Sequence, residues 1–147
     1  MRTVAGSAVL VHGALGLGAT LAPRLAPERM RLLERMWARA VRRALRLSIR
    51  IEGLDNLDTR RRHLVMPLHE SFVDIPVLLH LPIRLRFVIR DELLGYPAMG
   101  RYLAATDQIP VPEVPLLDDL RALAARVEAV METGDDVVVF PQGSVLG

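Results

Sequence analysis

The sequence predicts an α/β fold: a largely parallel sheet flanked by helices, preceded by an N-terminal helical segment. Three observations carry this expectation. From residue 47 onward, short apolar runs of strand length alternate with longer helix-length stretches. Regular alternation implies crossover connections, which return successive strands parallel to one another. At 147 residues the chain holds one sizeable core and has no room for a second, and it shows no internal repeat or low-complexity linker.

The first segment, residues 4–22, contains no charged residue. As a helix it would reach roughly 28 Å, close to the hydrocarbon thickness of a bilayer. It reads as a spanning or re-entrant membrane helix; a signal peptide, for which Arg2 alone supplies the basic start, and a buried soluble helix are the alternatives. A second helix opens with Pro27 and Glu28 in its first turn. Met30, Leu33, Trp37, Val41 and Ala44 recur at spacings of three and four, with Arg31, Arg35, Arg39, Arg42 and Arg46 mostly off that stripe. An arginine-faced amphipathic helix suits a membrane interface, although packing on a sheet gives the same pattern. With the apolar segment before it, residues 1–46 read as membrane-associated and residues 47–147 as a separate domain on the cytoplasmic side.

Strands are expected at 47–51, 64–67, 86–89, 108–111 and 137–140, and helices near 72–80, near 97–104 and at 115–133. The last helix is the clearest: Pro115 opens it, Asp118 and Asp119 suit its positive end, and Gly134 closes it. Leu116, Leu120, Leu123, Val127 and Val130 form its expected buried face. The chain stops at Gly147, four residues after Gly143, so a further C-terminal portion covering the last strand is expected.

Composition removes several function classes. There is no cysteine, which excludes disulfides, thiolate zinc sites and a cysteine nucleophile. All 19 basic residues are arginine, and the net charge of +2 conceals an asymmetry. Residues 1–63 carry thirteen Arg against five acids, and residues 64–147 carry six against twelve. A basic front half fits phosphates of anionic lipid or nucleic acid. With only 4% aromatic residues there is no stacking platform, so nucleic acid is not an expected partner.

Chemistry concentrates in Pro67-Leu68-His69-Glu70-Ser71-Phe72-Val73-Asp74, just past an expected strand. Strand ends facing a helix start are where α/β folds place their sites. An Asp five positions after a His can fold back onto the ring, fix its tautomer and leave the other nitrogen to take a proton. A zincin reading fails because Val73 stands where the second His belongs, so no metal is expected. Ser71 has no Gly-x-Ser-x-Gly surroundings and reads as a helix cap. Taken alone, the pair also fits a turn held together for stability. His63 and His80 read as surface or helix-end residues, and His12 lies in the apolar segment.

Three blocks in order carry a resemblance. His69-x-x-x-x-Asp74 resembles the first motif of the lysophosphatidate acyltransferase-like family. Asp91-Glu92-Leu93 with Pro97 and Gly100, preceded by Arg90, is similar to its second block. Phe140-Pro141-Gln142-Gly143-Ser144 is similar to its third, usually Phe-Pro-Glu-Gly-Thr. The likeness spans roughly residues 45–147. It implies that His69 is a catalytic base oriented by Asp74. Ser71, Arg90, Glu92, Gly100, Phe140, Pro141, Gln142, Gly143 and Ser144 become substrate-binding candidates. The implied reaction moves a fatty acyl group from coenzyme A or acyl carrier protein, as co-substrate, to a hydroxyl of a membrane glycerolipid, with no cofactor. The rival from another class is a peripheral membrane-binding module without activity. Gln142 departs from the family's Glu. Arginines that the family often places at the close of the second block and after the third fall here at the run 111–114 and at Val145. An acceptor lacking a terminal phosphate monoester is therefore expected to serve at least as well as lysophosphatidate, with Arg84, Arg86, Arg90 and Arg101 as the arginines near enough in sequence to compensate.

Overall fold

The structure is a computed structural model that describes residues 27–143, apart from the side chains of Pro27 and Ala98. The expected membrane segment at 4–22 and Ser144 lie outside the described residues. Four short strands, β1 (Leu64–Val65), β2 (Leu85–Arg90), β3 (Ile109–Val111) and β4 (Asp136–Val138), form one sheet in the order β1-β4-β2-β3. Every pairing is parallel, with Val65 opposite Val138, Phe87 opposite Val138 and Arg90 opposite Val111. The strands therefore point the same way, and the loops leaving them gather along one edge.

Helices α1 (Pro27–Ala44), α2 (Asp74–Leu78), α3 (Pro97–Ala105) and α4 (Leu117–Glu132) flank the sheet. Residues 47–51, expected as a strand, are irregular. Their apolar residues suit a strand, but they enter no ladder with the sheet, and pairing rather than propensity makes a strand.

Helix α1 carries Glu28 in its first turn and Arg42 and Arg43 in its last, matching the helix dipole at both ends. Its apolar stripe faces protein: Met30, Ala38 and Val41 are buried, and the helix packs against α2. Ala44, expected on that stripe, is exposed. The surface opposite holds exposed Leu32 and Met36 among exposed Arg29, Arg35, Arg39 and Arg43. Glu34, turned inward, accepts a hydrogen bond from the Tyr102 hydroxyl of α3. Burial pushes the Glu34 carboxyl up, only partly offset by Tyr102, Arg86 and Arg31. Among the described residues no helix is long and apolar enough to cross a membrane.

The core sits between α4 and the sheet. Ile109, Val130 and Val137 are buried there, with Val88, Leu123, Val127, Met131 and Val139 packed around them. Leu116 and Leu120, expected in the same buried face, are exposed. Length explains this: sixteen helical residues extend roughly 24 Å, and three-residue strands only about 10 Å. The first turns of α4 overhang the sheet.

At the opposite edge, where the strands begin, Asp136 is fully buried. It accepts hydrogen bonds from the backbone N–H of His63 (2.8 Å) and of Arg84 (3.3 Å), and its carboxylate lies 3.0 Å from His63 Nδ1. Arg62 stands 3.6 Å away. One carboxylate thus ties the entries of β1 and β2 to β4. This corrects the expectation for His63, which belongs to a buried clamp. His80 does end a helix, its Nδ1 2.7 Å from the Pro76 carbonyl.

Candidate active site

Where β1 ends, the chain turns sharply toward α2, and the turn is organised by one carboxylate. Asp74, the first residue of α2, accepts three hydrogen bonds at Oδ2: from His69 Nδ1 (2.9 Å), Glu70 N–H (2.8 Å) and Ser71 N–H (2.9 Å). Partial burial pushes its carboxyl up, but the bonds from His69, Ser71 and Glu70 outweigh this and hold it below the ordinary value. Asp74 is thus ionised at neutral pH, fixes the proton on His69 Nδ1 and leaves the Nε2 lone pair free for a substrate proton. Phe140, just past β4, stacks on the imidazole with ring centroids 4.0 Å apart and planes at 23°. The ring is therefore held at one nitrogen and on one face.

Ser71 is bound up in the turn itself. Its Oγ accepts from the Val73 N–H at 3.1 Å, fastening the turn before α2, whereas the position capping the helix is Val73 itself. The arrangement has a base, an orienting carboxylate and no acyl-accepting side chain attached to them. Such an arrangement can activate a hydroxyl brought by a substrate.

Phe140 and His69 belong to neighbouring strand ends, because β4 lies directly between β1 and β2. After Phe140, Pro141 and Gln142 form a tight turn closed by the Gly143 N–H bonding the Phe140 carbonyl at 3.0 Å. Gly143 has φ +71°, a conformation that favours glycine. That bond occupies the Gly143 amide. Gln142 Oε1 is buried with no hydrogen-bond partner among the described residues.

The second block sits on the same edge. Arg90 ends β2, displaced sideways from β1 by two strand spacings, roughly 10 Å, and three residues beyond the level of Val65. Its guanidinium lies 2.6 Å from Glu92 and 2.6 Å from Glu113. Glu92 belongs to the 3₁₀ turn Asp91–Gly95, which packs on α3. Gly100 has a steric role there: a Cβ would lie 2.0 Å from the Leu94 carbonyl oxygen. Arg84 and Arg86 stand at the start of β2, on the far edge, paired with Glu28 and with Asp135 and Asp107 respectively. They cannot serve the His69 edge. Glu113 was missed by sequence reading. The available signal was its place two residues beyond a predicted strand, which the Arg90–Val111 register converts into contact.

A family model described as Acyltransferase matches residues 48–146, about two thirds of the chain. The chain belongs to the acyltransferase family. No curated protein and no solved structure was found to match it. In this acyltransferase the matched region contains all three blocks, including the His69–Asp74 pair and the Phe140 stack.

Proposed function

We propose that this acyltransferase moves a fatty acyl group from a thioester, on coenzyme A or acyl carrier protein, to a hydroxyl of a glycerolipid, 1-acylglycerol-3-phosphate or another lysolipid, in phospholipid biosynthesis. The observation that carries the reading is the 2.9 Å contact between His69 Nδ1 and an ionised Asp74, without a side-chain nucleophile attached to the pair. His69 Nε2 takes the proton of the acceptor hydroxyl as its oxygen attacks the thioester carbonyl. The tetrahedral intermediate expels the thiolate, which recovers the proton from the imidazolium. Thioesters are already activated, so one oriented base and close positioning supply much of the rate.

The acceptor lysolipid resides in membranes, and the reading places the enzyme on the cytoplasmic face. Support comes from the outward surface of α1, where Leu32 and Met36 are exposed among four exposed arginines. Two apolar side chains ringed by guanidinium groups suit the boundary between acyl chains and anionic headgroups. The contact surface is then this ridge, not the stripe that sequence periodicity picked out.

The test is release of free thiol from acyl-coenzyme A by the intact protein, dependent on added lysolipid in mixed micelles. His69→Ala should lower kcat by about 10²–10⁴-fold with the thermal melt preserved. Retention of activity within about tenfold would remove the proposed base; a membrane-binding module without catalysis would show no lysolipid-dependent thiol release at all.

A further inference from the structure

We infer that Glu113 is a specificity-determining residue, and that with Glu92 it directs the enzyme toward acceptors without a terminal phosphate monoester. The inference rests on the acyl-transfer reading above and concerns the same site. Arg90 is the cation that the β2 end presents on the His69 edge. Both of its terminal nitrogens are engaged, NH1 by Glu113 and NH2 by Glu92, each at 2.6 Å. A guanidinium holds a phosphate by a fork of parallel N–H donors, and here that fork is already filled by carboxylates. Two carboxylates on one guanidinium also leave the cluster with a net charge of −1.

A phosphate monoester carries between one and a half and two negative charges near neutral pH, by its ordinary second ionisation. To reach Arg90 it must displace a carboxylate or approach as a third anion. An uncharged polyol meets neither obstacle, and a phosphodiester meets a smaller one. The arrangement is built into the fold. Glu113 follows Val111, the register partner of Arg90, and Glu92 lies in the turn that leaves β2. The two glutamates and Arg90 are each partly exposed to solvent, with side-chain exposures of 47%, 63% and 38% for Glu92, Glu113 and Arg90. An arriving acceptor headgroup therefore has access to the cluster.

The experiment measures kcat/KM of the intact protein for lysophosphatidate and for monoacylglycerol, with one acyl-coenzyme A donor and both acceptors in the same micelles. The wild type should use lysophosphatidate no better than monoacylglycerol. Glu113→Gln removes a negative charge and loosens the hold on the Arg90 guanidinium, and should shift the ratio toward lysophosphatidate by about tenfold, the effect of roughly 1.4 kcal/mol. Adding Arg90→Ala to Glu113→Gln should abolish that shift. A purely structural role for Glu113 would change both acceptors alike and leave the ratio where it was. A wild-type preference of about tenfold or more for lysophosphatidate, or a ratio indifferent to Glu113→Gln, overturns this inference while leaving acyl transfer intact. Absence of transfer to either acceptor overturns the acyl-transfer reading, and this inference with it.

Discussion

At the scale of single residues, the His69 ring is held by two groups of different kind, a carboxylate at its edge and an aromatic face. Their contributions separate by substitution. Phe140→Leu keeps an apolar neighbour but loses the stack; a stacked aromatic pair contributes about 0.5–1.5 kcal/mol, so kcat should fall roughly two- to tenfold. Asp74→Asn keeps an acceptor but loses the charge that stabilises an imidazolium, and should cost about 10²–10⁴-fold. It should also cost stability with a defined pH dependence. The folded protein holds the Asp74 carboxyl below its ordinary value of 3.8, so ionised Asp74 stabilises the fold above that value. The contribution is lost as pH falls through the lower folded value. Urea melts of wild type and Asp74→Asn should therefore differ at pH 7, draw together as pH drops past 3.8 and converge only below the lower folded value; a constant difference would contradict the assignment. The His69–Asp74 pair was legible in sequence because six consecutive residues contain it. Contacts between distant residues were not. Arg90 with Glu113, and His63 with Asp136, arise from strand register, which no local spacing encodes.

Elements show a second kind of illegibility, at their ends. Helix α1 closes with Leu47 N–H on the Arg42 carbonyl at 2.9 Å and Arg46 N–H on the Arg43 carbonyl at 3.2 Å. This is a Schellman cap, and Arg46 takes the left-handed residue within it at φ +52°. Helix α3 closes the same way with Asp107 at φ +55°, and α4 is followed by Gly134 at φ +98°. Only the glycine announced its helix end in the sequence. Arg46 occupies a conformation that costs an L-residue about 1–2 kcal/mol, partly offset by the greater unfolded-state freedom of glycine. Arg46→Gly should therefore stabilise the protein by roughly 0.5–1 kcal/mol, seen as a higher urea midpoint with an unchanged slope. A lower midpoint would mean that the left-handed cap is absent. Amphipathic periodicity, by contrast, located α1 and α4 well but misjudged what they face. The α1 stripe covers protein, and the first turns of α4 find no sheet beneath them, because periodicity carries no information about the partner's extent.

For the whole molecule, alternation of strands and helices made the parallel sheet legible, while the order β1-β4-β2-β3 was not, since several orders satisfy the same pattern. That order gives Asp136 its importance. Asp136→Ala leaves the N–H groups of His63 and Arg84 without their acceptor inside the protein. Loss of a buried charged partner costs on the order of 3–5 kcal/mol, lowering Tm by roughly 10 °C or more. Asp136→Asn keeps one acceptor oxygen and should recover part of it. Acyl transfer per folded molecule at low temperature should hold in both, because the clamp lies at the far edge from His69. A melt unchanged by Asp136→Ala would show the clamp to be dispensable. The strand order also carries a temporal consequence. β4 is the last of the described strands to leave the ribosome, yet it lies between β1 and β2. Strands β2 and β3 can pair as soon as both exist, whereas β1 has no neighbour until residues 136–138 arrive. Pairing so far apart in sequence makes folding slow and leaves strand edges open meanwhile. The His69 ring acquires its stacking face from Phe140, which emerges later still, so a nascent chain carries the base long before it carries the geometry that makes the base competent.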